Sequence, residues 1–423
     1  MILIKIIVII YFLATFAPLI THFMEKKYIK KINKIKVKKY VDIFVLLPAF
    51  KEQKIVDETI EWFRKFKYKG NIKFLIVTTE KEEKEYKNKR IKELTTSKVV
   101  ENKLKEINDE RFIHYHYPKT NGNKSSQMNY ALEKIKNECN DDIYISVFDF
   151  DSKPELNTFE NLNKVYIKKN KPDVIQQVPL NIKNFETISK KNIIMIIYTF
   201  QHLVRSIAIE KLKLLICSLT KLKVPQYCMG ACMHIKYNTL KENNFFPIFV
   251  DDLTLGYRLS IKGYRFAFLP TLNLSLIPND IRGYVGSATL IFKGICTYLN
   301  EIFNIKGNIY GKIKMFVFGT FNIIEFAIVP FIFILGYLYC LINFKITSLI
   351  LMMILIPILW SISSYIVIRS YNIKSGNALK VLIATIISPI WFIFRPFGFI
   401  MYFIKKCVSL ITKSNIEYKK TER

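Results

Sequence analysis

Two carboxylates, Asp149 and Asp151, stand one residue apart where a hydrophobic run ends. Oxygen ligands suit hard divalent cations, and Mg²⁺ typically takes one or two carboxylates together with the phosphates of a substrate. A turn before a helix is the alternative, because Asp and Ser commonly cap helices and Pro154 follows. A buried strand that ends in two acids favours the cation, and we expect Asp149 and Asp151 to hold Mg²⁺ or Mn²⁺.

A second acidic pair, Asp251 and Asp252, precedes the segment Leu253–Leu255. Adjacent acids at the start of a helix suit the positive end of its dipole. A carboxylate in that place is also able to take a proton from an attacking hydroxyl group. The residues alone leave both interpretations open.

The elements that must position these acids alternate between strand-like and helix-like segments from residue 41 to residue 300. Such alternation implies an α/β fold with a mostly parallel sheet that is covered by helices on both faces. Ligands bind such sheets at the carboxyl ends of the strands. Strands are predicted at 41–50, 73–79, 111–117, 142–150 and 174–180, with helices at 52–68, 81–107, 124–137 and 154–169.

Apolar residues concentrate at both ends of the chain. Residues 2–20 carry one charge and are roughly long enough to span a ~30 Å hydrocarbon core. The basic residues mostly follow this stretch, at Lys26–Lys39, which favours an uncleaved anchor with its N-terminus outside. Two further spans are predicted at 315–343 and 346–368.

Residues 379–404 are apolar but are interrupted by Arg395-Pro396. A proline inside a helix removes a hydrogen bond and bends the chain. We expect this segment to re-enter the membrane or to lie in its interface, because positive-inside logic places the basic tail that follows in the cytoplasm. Glu325 is the one charge in the first of the two spans, and either a functional role or contact with a neighbouring helix fits it.

The formal net charge of +30 raises the question of a nucleic-acid partner. Lysine is dispersed through the whole chain, and the dense basic run directly follows an apolar segment. This distribution favours membrane lipid as the partner of the basic surface, and no nucleic acid is expected. A GxGxxG or P-loop signature is absent from the sequence, which weighs against dehydrogenases and P-loop ATPases.

Five short motifs, in this order, resemble those of membrane-bound family 2 glycosyltransferases. The chain ending also resembles the W-x-K-T-x-R ending of some members, with Tyr418 in place of Trp. The motifs are Leu47–Glu52 (P-A-[YF]-N-E), Gly122–Asn129 (G-x-K-x-x-x-L-N), Phe148–Pro154 (D-x-D), Asp251-Asp252 with Gly256, Arg258 and Leu259 (G-x-R-L), and Gly263–Arg265 (G-[YF]-[RK]).

The resemblance implies a nucleotide-binding domain of the glycosyltransferase A type that is metal-dependent and inverts the anomeric carbon. It makes Asp252 the general base, and Asp251 then remains as a helix cap. Glu80 stands near the place of an Asp that recognises the base in the family. The other implied site residues are Pro48, Phe50 and Glu52 beside the nucleotide, Lys124 near the uridine or diphosphate, Asp149 and Asp151 on the nucleotide and its cation, and Gly230 near the acceptor.

The expected organisation follows from these features. The expected partners are a nucleotide-sugar donor, with a UDP-sugar favoured, and a lipid-linked or saccharide acceptor. The protein is expected to be a multi-pass protein of the cell membrane with a cytoplasmic catalytic domain. Its parts are a transmembrane anchor at 1–24, the catalytic domain at 41–300, transmembrane or interfacial helices at 315–404 and a basic cytosolic tail at 405–423.

The Q-x-x-R-W motif of processive synthases is missing, since the corresponding stretch reads Gly286–Gly294. This absence favours a sugar transferase over a polysaccharide synthase that extrudes its polymer. Two alternatives stay open: such a processive synthase, and a membrane-surface binding protein whose catalytic domain no longer turns over.

Overall fold

The computed structural model describes residues 2–412, apart from 141, 221, 249–250 and 344–346. Strands and helices alternate through the middle of the chain. The strands are β1 (Ile43–Pro48), β2 (Ile72–Thr79), β3 (Phe112–Tyr117), β4 (Tyr144–Phe148), β5 (Lys153–Pro154), β6 (Val174–Gln176), β7 (Pro179–Asn181), β8 (Cys232–Lys236), β9 (Phe266–Phe268) and β10 (Asn273–Ser275).

Helices surround these strands and continue beyond them to the end of the described chain. Two π-helical segments, Arg205–Lys211 and Ile324–Ile328, join helices that are otherwise continuous. The helices are α1 (Ile2–Ile32), α2 (Val56–Arg64), α3 (Glu80–Asn88), α4 (Thr96–Ile107), α5 (Lys124–Lys134), α6 (Thr158–Lys168), α7 (Phe185–Lys191), α8 (Ile193–Val204), α9 (Leu212–Leu219), α10 (Tyr237–Glu242), α11 (Asp251–Ile261), α12 (Ile281–Asn304), α13 (Ile309–Ile323), α14 (Val329–Asn343), α15 (Thr347–Ser370), α16 (Ala378–Ile386), α17 (Trp391–Phe394) and α18 (Phe397–Thr412).

The described strands form a central seven-stranded sheet in the order β3-β2-β1-β4-β8-β6-β9. Strand β1 pairs in parallel with β2 and β4, and β2 pairs in parallel with β3. Strand β8 runs antiparallel to both β4 and β6, while β6 and β9 are parallel. The predicted α/β class with a mostly parallel sheet is confirmed. A smaller sheet, β5-β10-β7, adjoins it.

Strand β1 occupies the middle of the parallel part, and all six of its residues are buried. A strand covered on both faces reads as a continuous apolar run, as Ile43–Pro48 does. Phe63 of α2 packs on Phe74 and Phe148 from the neighbouring strands. Because β1, β2, β3 and β4 are parallel, their carboxyl ends meet at one edge of the sheet.

Two predicted elements differ from the observed ones. The predicted helix 81–107 is two helices, α3 and α4, because the chain turns at Arg90, where φ is +52°. The predicted strand 174–180 is also divided, into β6 in the large sheet and β7 in the small one. Gln176 and Gln177 are buried at that change of sheet, and their side-chain amides donate to the backbone oxygens of Cys232 and Thr271.

Three helices within the described residues are long and apolar enough to cross a membrane: Ile193–Leu219, Ile309–Tyr339 and Met353–Ser370. The last two correspond to the predicted spans. The first is longer than the sequence predicts, because the charges Arg205 and Lys211 after the apolar stretch Ile193–Phe200 favour a helix that lies near the membrane. Helices α16 and Ser388–Ile411 form a further apolar pair, bent by 62°. The bend lies beside Pro389, so its predicted position at Arg395-Pro396 is wrong.

The N-terminal helix α1 joins the apolar stretch to the sheet domain. Tyr28, near its end, is buried and donates its hydroxyl to the Phe268 carbonyl of β9 at 3.3 Å. Lys211 donates to both carboxylate oxygens of Glu25 at 2.9 Å. The end of the predicted anchor is therefore attached to the sheet domain by specific contacts.

A group of buried charges lies among the apolar helices. Glu325, in one π-helical segment, accepts from Arg205 in the other at 2.6 Å and also pairs with Arg395. Arg205 lies 3.4 Å from a carboxylate oxygen of Glu210, and Lys213 lies 3.3 Å from the other. Two interpretations of Glu325 were open, a functional role and contact with a neighbouring helix. The structure shows the contact with neighbouring helices. The cluster joins three segments that are distant in the sequence.

Candidate active site

Lys124 connects three segments at the carboxyl edge of the sheet. It is the first residue of α5, whose start is capped by Asn123 accepting from the backbone N–H of Ser126 at 3.0 Å. Its ammonium group donates to Asp149 Oδ1 at 2.7 Å and to the carbonyl of Gly230 at 3.2 Å. The sequence-predicted residues Lys124, Asp149 and Gly230 thus lie together.

Asp252 joins this group through Gly230. The backbone N–H of Gly230 donates to Asp252 Oδ2 at 2.8 Å, and the N–H of Leu253 donates to Oδ1 at 2.8 Å. A Cβ atom at residue 230 would lie 3.0 Å from Oδ2 and 3.2 Å from the Asp252 Cβ. Glycine at this position therefore permits the close approach of the carboxylate. The side chain of Asp251 lies outside the described part of the structure.

The environment of Asp252 favours its protonated form. Burial raises the pKa of its carboxyl group, and the neighbouring negative charge of Asp149 raises it further. The N–H of Gly230 and the ammonium of Lys124 partly offset this shift. A carboxylate whose pKa is raised accepts protons more readily, which suits a general base.

Asp151 is buried just beyond the end of β4, and the N–H of Ser152 donates to the carbonyl of Asp149 at 2.9 Å. The helix-cap alternative for this turn is wrong, because α6 begins only at Thr158, after Asn157. No group of three or more His, Cys, Asp or Glu among the described residues is placed to hold a metal. Two carboxylates still fit a hard cation whose other ligands are phosphate oxygens and water.

The segment after β1, which carries Phe50 and Glu52, is held by residues that sequence reasoning missed. The N–H of Lys51, whose φ is +55°, donates to Glu82 Oε2 at 2.7 Å. The N–H of Glu52 donates to Thr96 Oγ1 at 2.8 Å, and the Thr96 hydroxyl in turn donates to Glu82 Oε1. Glu82 is one of several glutamates in a charged helix, so no pattern distinguished it.

Helix α5 also fixes the ends of two strands and a distant loop. The Gln127 amide donates to the carbonyls of Ala49 and Val77, each at 3.0 Å. Asn129 exchanges two hydrogen bonds with the backbone of Phe246, at 2.8 and 3.0 Å. The motif around Lys124 therefore sets the positions of the β1 and β2 ends and of the loop before α11.

The loop around Gly230 is fixed from both sides. Gln176 accepts from the N–H of Met229 at 3.1 Å and donates to the carbonyl of Cys232 at 2.9 Å. On the other side Gly256 of α11 approaches the backbone so closely that a Cβ there would lie 2.1 Å from the nitrogen of Cys228. Gln176 was missed from the sequence, whereas Gly256 was part of a recognised motif.

Pro48 ends β1 and Glu80 begins α3, so both lie at the same edge of the sheet. The Nε2–H of His116 donates to Glu80 Oε2 at 3.1 Å. His114 and His116 alternate along β3, and both contact one hydroxyl, Thr78 Oγ1, at 2.7 and 2.9 Å. Burial lowers the pKa of His114 to about 4.

The overall fold is similar to that of a solved enzyme. No family model and no curated protein matches the chain. The chain is similar in structure to the mannosyltransferase PcManGT from Pyrobaculum calidifontis, solved in complex with GDP-Man and Mn²⁺. The TM-score is 0.54 with 12% identity, over 95% of this chain and 99% of that one. At this identity the similarity establishes a common fold.

Proposed function

We propose that the protein is a membrane-bound, inverting, metal-dependent glycosyltransferase with a catalytic domain of the glycosyltransferase A type. The observation that carries the proposal is the contact series Asp149–Lys124–Gly230–Asp252 at the carboxyl edge of the parallel sheet. Ligands of open α/β sheets bind at that edge. The structural neighbour, whose fold the chain shares, was solved with a nucleotide-sugar and Mn²⁺.

The donor diphosphate is assigned to the side of the site formed by Lys124, Asp149 and Asp151. The two carboxylates hold Mg²⁺ or Mn²⁺, which supplies positive charge to the leaving diphosphate. Lys124 adds a second positive charge there once the phosphates compete for its contact with Asp149. Pro48, Phe50 and Glu52 border the nucleotide, and the Glu82–Thr96 pair keeps their segment in place.

The acceptor is assigned to the side of the site formed by Gly230 and Asp252. An acceptor hydroxyl attacks the anomeric carbon from the face opposite the diphosphate, so the new C–O bond forms as the bond to the diphosphate breaks. The hydroxyl proton passes to Asp252. Because a single displacement occurs, the anomeric configuration is inverted.

The apolar helices support a membrane-proximal acceptor, either lipid-linked or a saccharide. We place the catalytic domain on the cytoplasmic side of the cell membrane, because the basic run Lys26–Lys39 follows the N-terminal apolar stretch. The part of the predicted basic tail beyond residue 412 lies outside the described residues. A processive polysaccharide synthase remains the second candidate. Product length decides between them, since a single added sugar under donor excess excludes processivity.

Turnover with a panel of UDP-sugars and GDP-sugars tests the proposal. The purified protein is expected to release nucleoside diphosphate from at least one donor with Mn²⁺ or Mg²⁺ and to stop when EDTA is added. Asp151→Asn is expected to lower this activity by roughly 10²-fold or more, because the carboxylate ligand is lost.

Asp142→Asn is the matched control, since Asp142 is exposed and pairs with Lys171 at the surface. Its activity is expected to equal that of the unchanged protein. Full activity in EDTA, or in Asp151→Asn, would contradict the assigned roles. Metal-dependent donor binding without turnover on any acceptor would favour the binding-protein alternative.

A further inference from the structure

The loop that carries Gly230 is connected at its start to the buried charges among the apolar helices. Tyr227, three residues before Gly230, is buried, and its hydroxyl donates to Glu210 Oε1. Arg205 Nη2 donates to the same hydroxyl at 3.3 Å. A phenol hydroxyl is both a donor and an acceptor, so the two contacts are made together. Because Arg205 and Glu210 belong to one π-helical segment, the loop is attached to that segment.

The ring of Tyr227 contacts three helices. The Lys213 ammonium of α9 lies 4.7 Å from the ring centroid, within the distance at which a cation is attracted to the face of an aromatic ring. Phe318 of α13 stacks on the ring with centroids 6.2 Å apart, and Tyr257 of α11 meets it edge-on at 6.1 Å. Tyr257 differs from Tyr227 in one respect, since its buried hydroxyl has no hydrogen-bond partner among the described residues.

The short segment from Tyr227 to Gly230 has little room to move by itself. A Cβ at Gly256 would lie 2.4 Å from the Tyr227 Cα and 2.1 Å from the nitrogen of Cys228, which is itself fully buried. The N–H of Gly230 donates to Asp252 Oδ2 at 2.8 Å. A displacement of Tyr227 is consequently passed along three residues to the hydrogen bond that orients the Asp252 carboxylate.

We propose that Tyr227 is a positioning residue, whose hydroxyl contacts keep the Gly230 N–H on the carboxylate of Asp252. This inference rests on the proposed function, in which that carboxylate takes the proton of the acceptor. The sheet holds the same loop through Gln176 and the N–H of Met229. The base is therefore placed jointly by the sheet and by the apolar helices. A misplacement of about 1 Å in an active site costs up to about 10²-fold in rate.

Tyr227→Phe tests this role, because phenylalanine keeps the ring and removes only the hydroxyl. The variant is expected to fold, since the Glu210 carboxylate stays beside Arg205 at 3.4 Å and Lys213 at 3.3 Å. Its kcat is expected to fall roughly tenfold, while the Kd of the released nucleoside diphosphate with Mn²⁺ changes by less than about twofold. Initial rates at saturating donor and calorimetric titration measure the two quantities.

Hydrogen–deuterium exchange in the whole protein reports on the loop itself. In Tyr227→Phe the peptide that carries Gly230 is expected to exchange at least about threefold faster, while the peptide that carries β1 keeps its rate. Tyr257→Phe is the matched control, because it removes a hydroxyl that has no partner among the described residues. It is expected to leave kcat, the Kd and the exchange at Gly230 unchanged.

An unchanged exchange rate at Gly230 in Tyr227→Phe would overturn the inference alone. So would an equal rise in exchange at Gly230 and in β1, which a merely structural role produces, or a faster loop with an unchanged kcat. A loss of diphosphate affinity as large as the loss of kcat, or equal losses in Tyr257→Phe, would overturn it too. Absence of turnover with every donor would overturn the proposed function, and with it the part of the inference that concerns Asp252.

Discussion

Asp252→Asn is expected to lower kcat by about 10³-fold, because an amide does not accept the acceptor's proton and general-base catalysis typically contributes 10²–10⁴-fold. The amide keeps nearly the same shape, so the loop at Gly230 stays close to its place. Binding of nucleoside diphosphate is therefore expected to change by less than about threefold. Initial rates at saturating donor and acceptor, together with a titration of the diphosphate, measure both quantities.

The neighbouring Asp251→Asn is the matched control, since Asp251 is predicted to cap its helix and to take no part in the reaction. It is expected to retain activity within about threefold. An Asp252→Asn protein with unchanged kcat, or an Asp251→Asn protein as inactive as Asp252→Asn, would contradict the assignment of the base.

The pH dependence of kcat/KM also tests the assignment of Asp252 as the general base. Burial raises the pKa of Asp252, and a general base works only when it is deprotonated. The acid limb of kcat/KM is therefore expected at a pH above the ordinary aspartate value of about 3.9. Activity is full above that limb and falls as pH decreases through it. A profile that stays flat down to pH 4 would contradict the shifted base.

The largest expected effect on stability belongs to Glu325→Leu. This change leaves the guanidinium groups of Arg205 and Arg395 without the carboxylate that lies between them. Breaking a buried ion pair by removing one partner typically costs about 3–5 kcal/mol. For a chain of this size such a loss lowers the Tm by roughly 3–6 °C. Thermal unfolding of the detergent-solubilised protein measures it.

The triple variant Arg205→Met, Glu325→Leu and Arg395→Met is the informative control. Apolar residues of similar volume often replace a buried ion cluster without loss of stability. The triple variant is therefore expected to regain most of the lost Tm. If Glu325→Leu unfolds at the temperature of the unchanged protein, the cluster does not hold the helices together.

The sequence predicted the central part of this arrangement because its signals are local. Asp149 and Asp151 follow an apolar strand directly, and the alternation of elements places strand ends at one edge of the sheet. The contact between Lys124 and Asp149 follows from that topology together with the recognised motifs. Lys124 begins a helix at the same edge, and the structure brings the two charges to 2.7 Å.

Other parts of the site depend on contacts between residues that are far apart in the chain. Glu82 supports the segment at Lys51, and Gln176 supports the loop at Met229, over separations of 31 and 53 residues. Neither residue type marks such a role, since glutamate is common in exposed helices. The bend beside Pro389 was missed because the sequence is interrupted more visibly at Arg395-Pro396, by a charge and a proline. The chain passes that point with a two-residue break between α17 and α18, where Arg395 pairs with Glu325 on another helix.

The central claim is that Asp149 and Asp151 bind the nucleotide together with a divalent cation. Titration of GDP and UDP into the purified protein, with and without Mn²⁺, tests it most directly. The account predicts that one diphosphate binds at least about tenfold more tightly with Mn²⁺, and that Asp151→Asn removes this dependence while Asp142→Asn keeps it. Equal binding with and without Mn²⁺, or a dependence on Mn²⁺ that survives in Asp151→Asn, would contradict the claim.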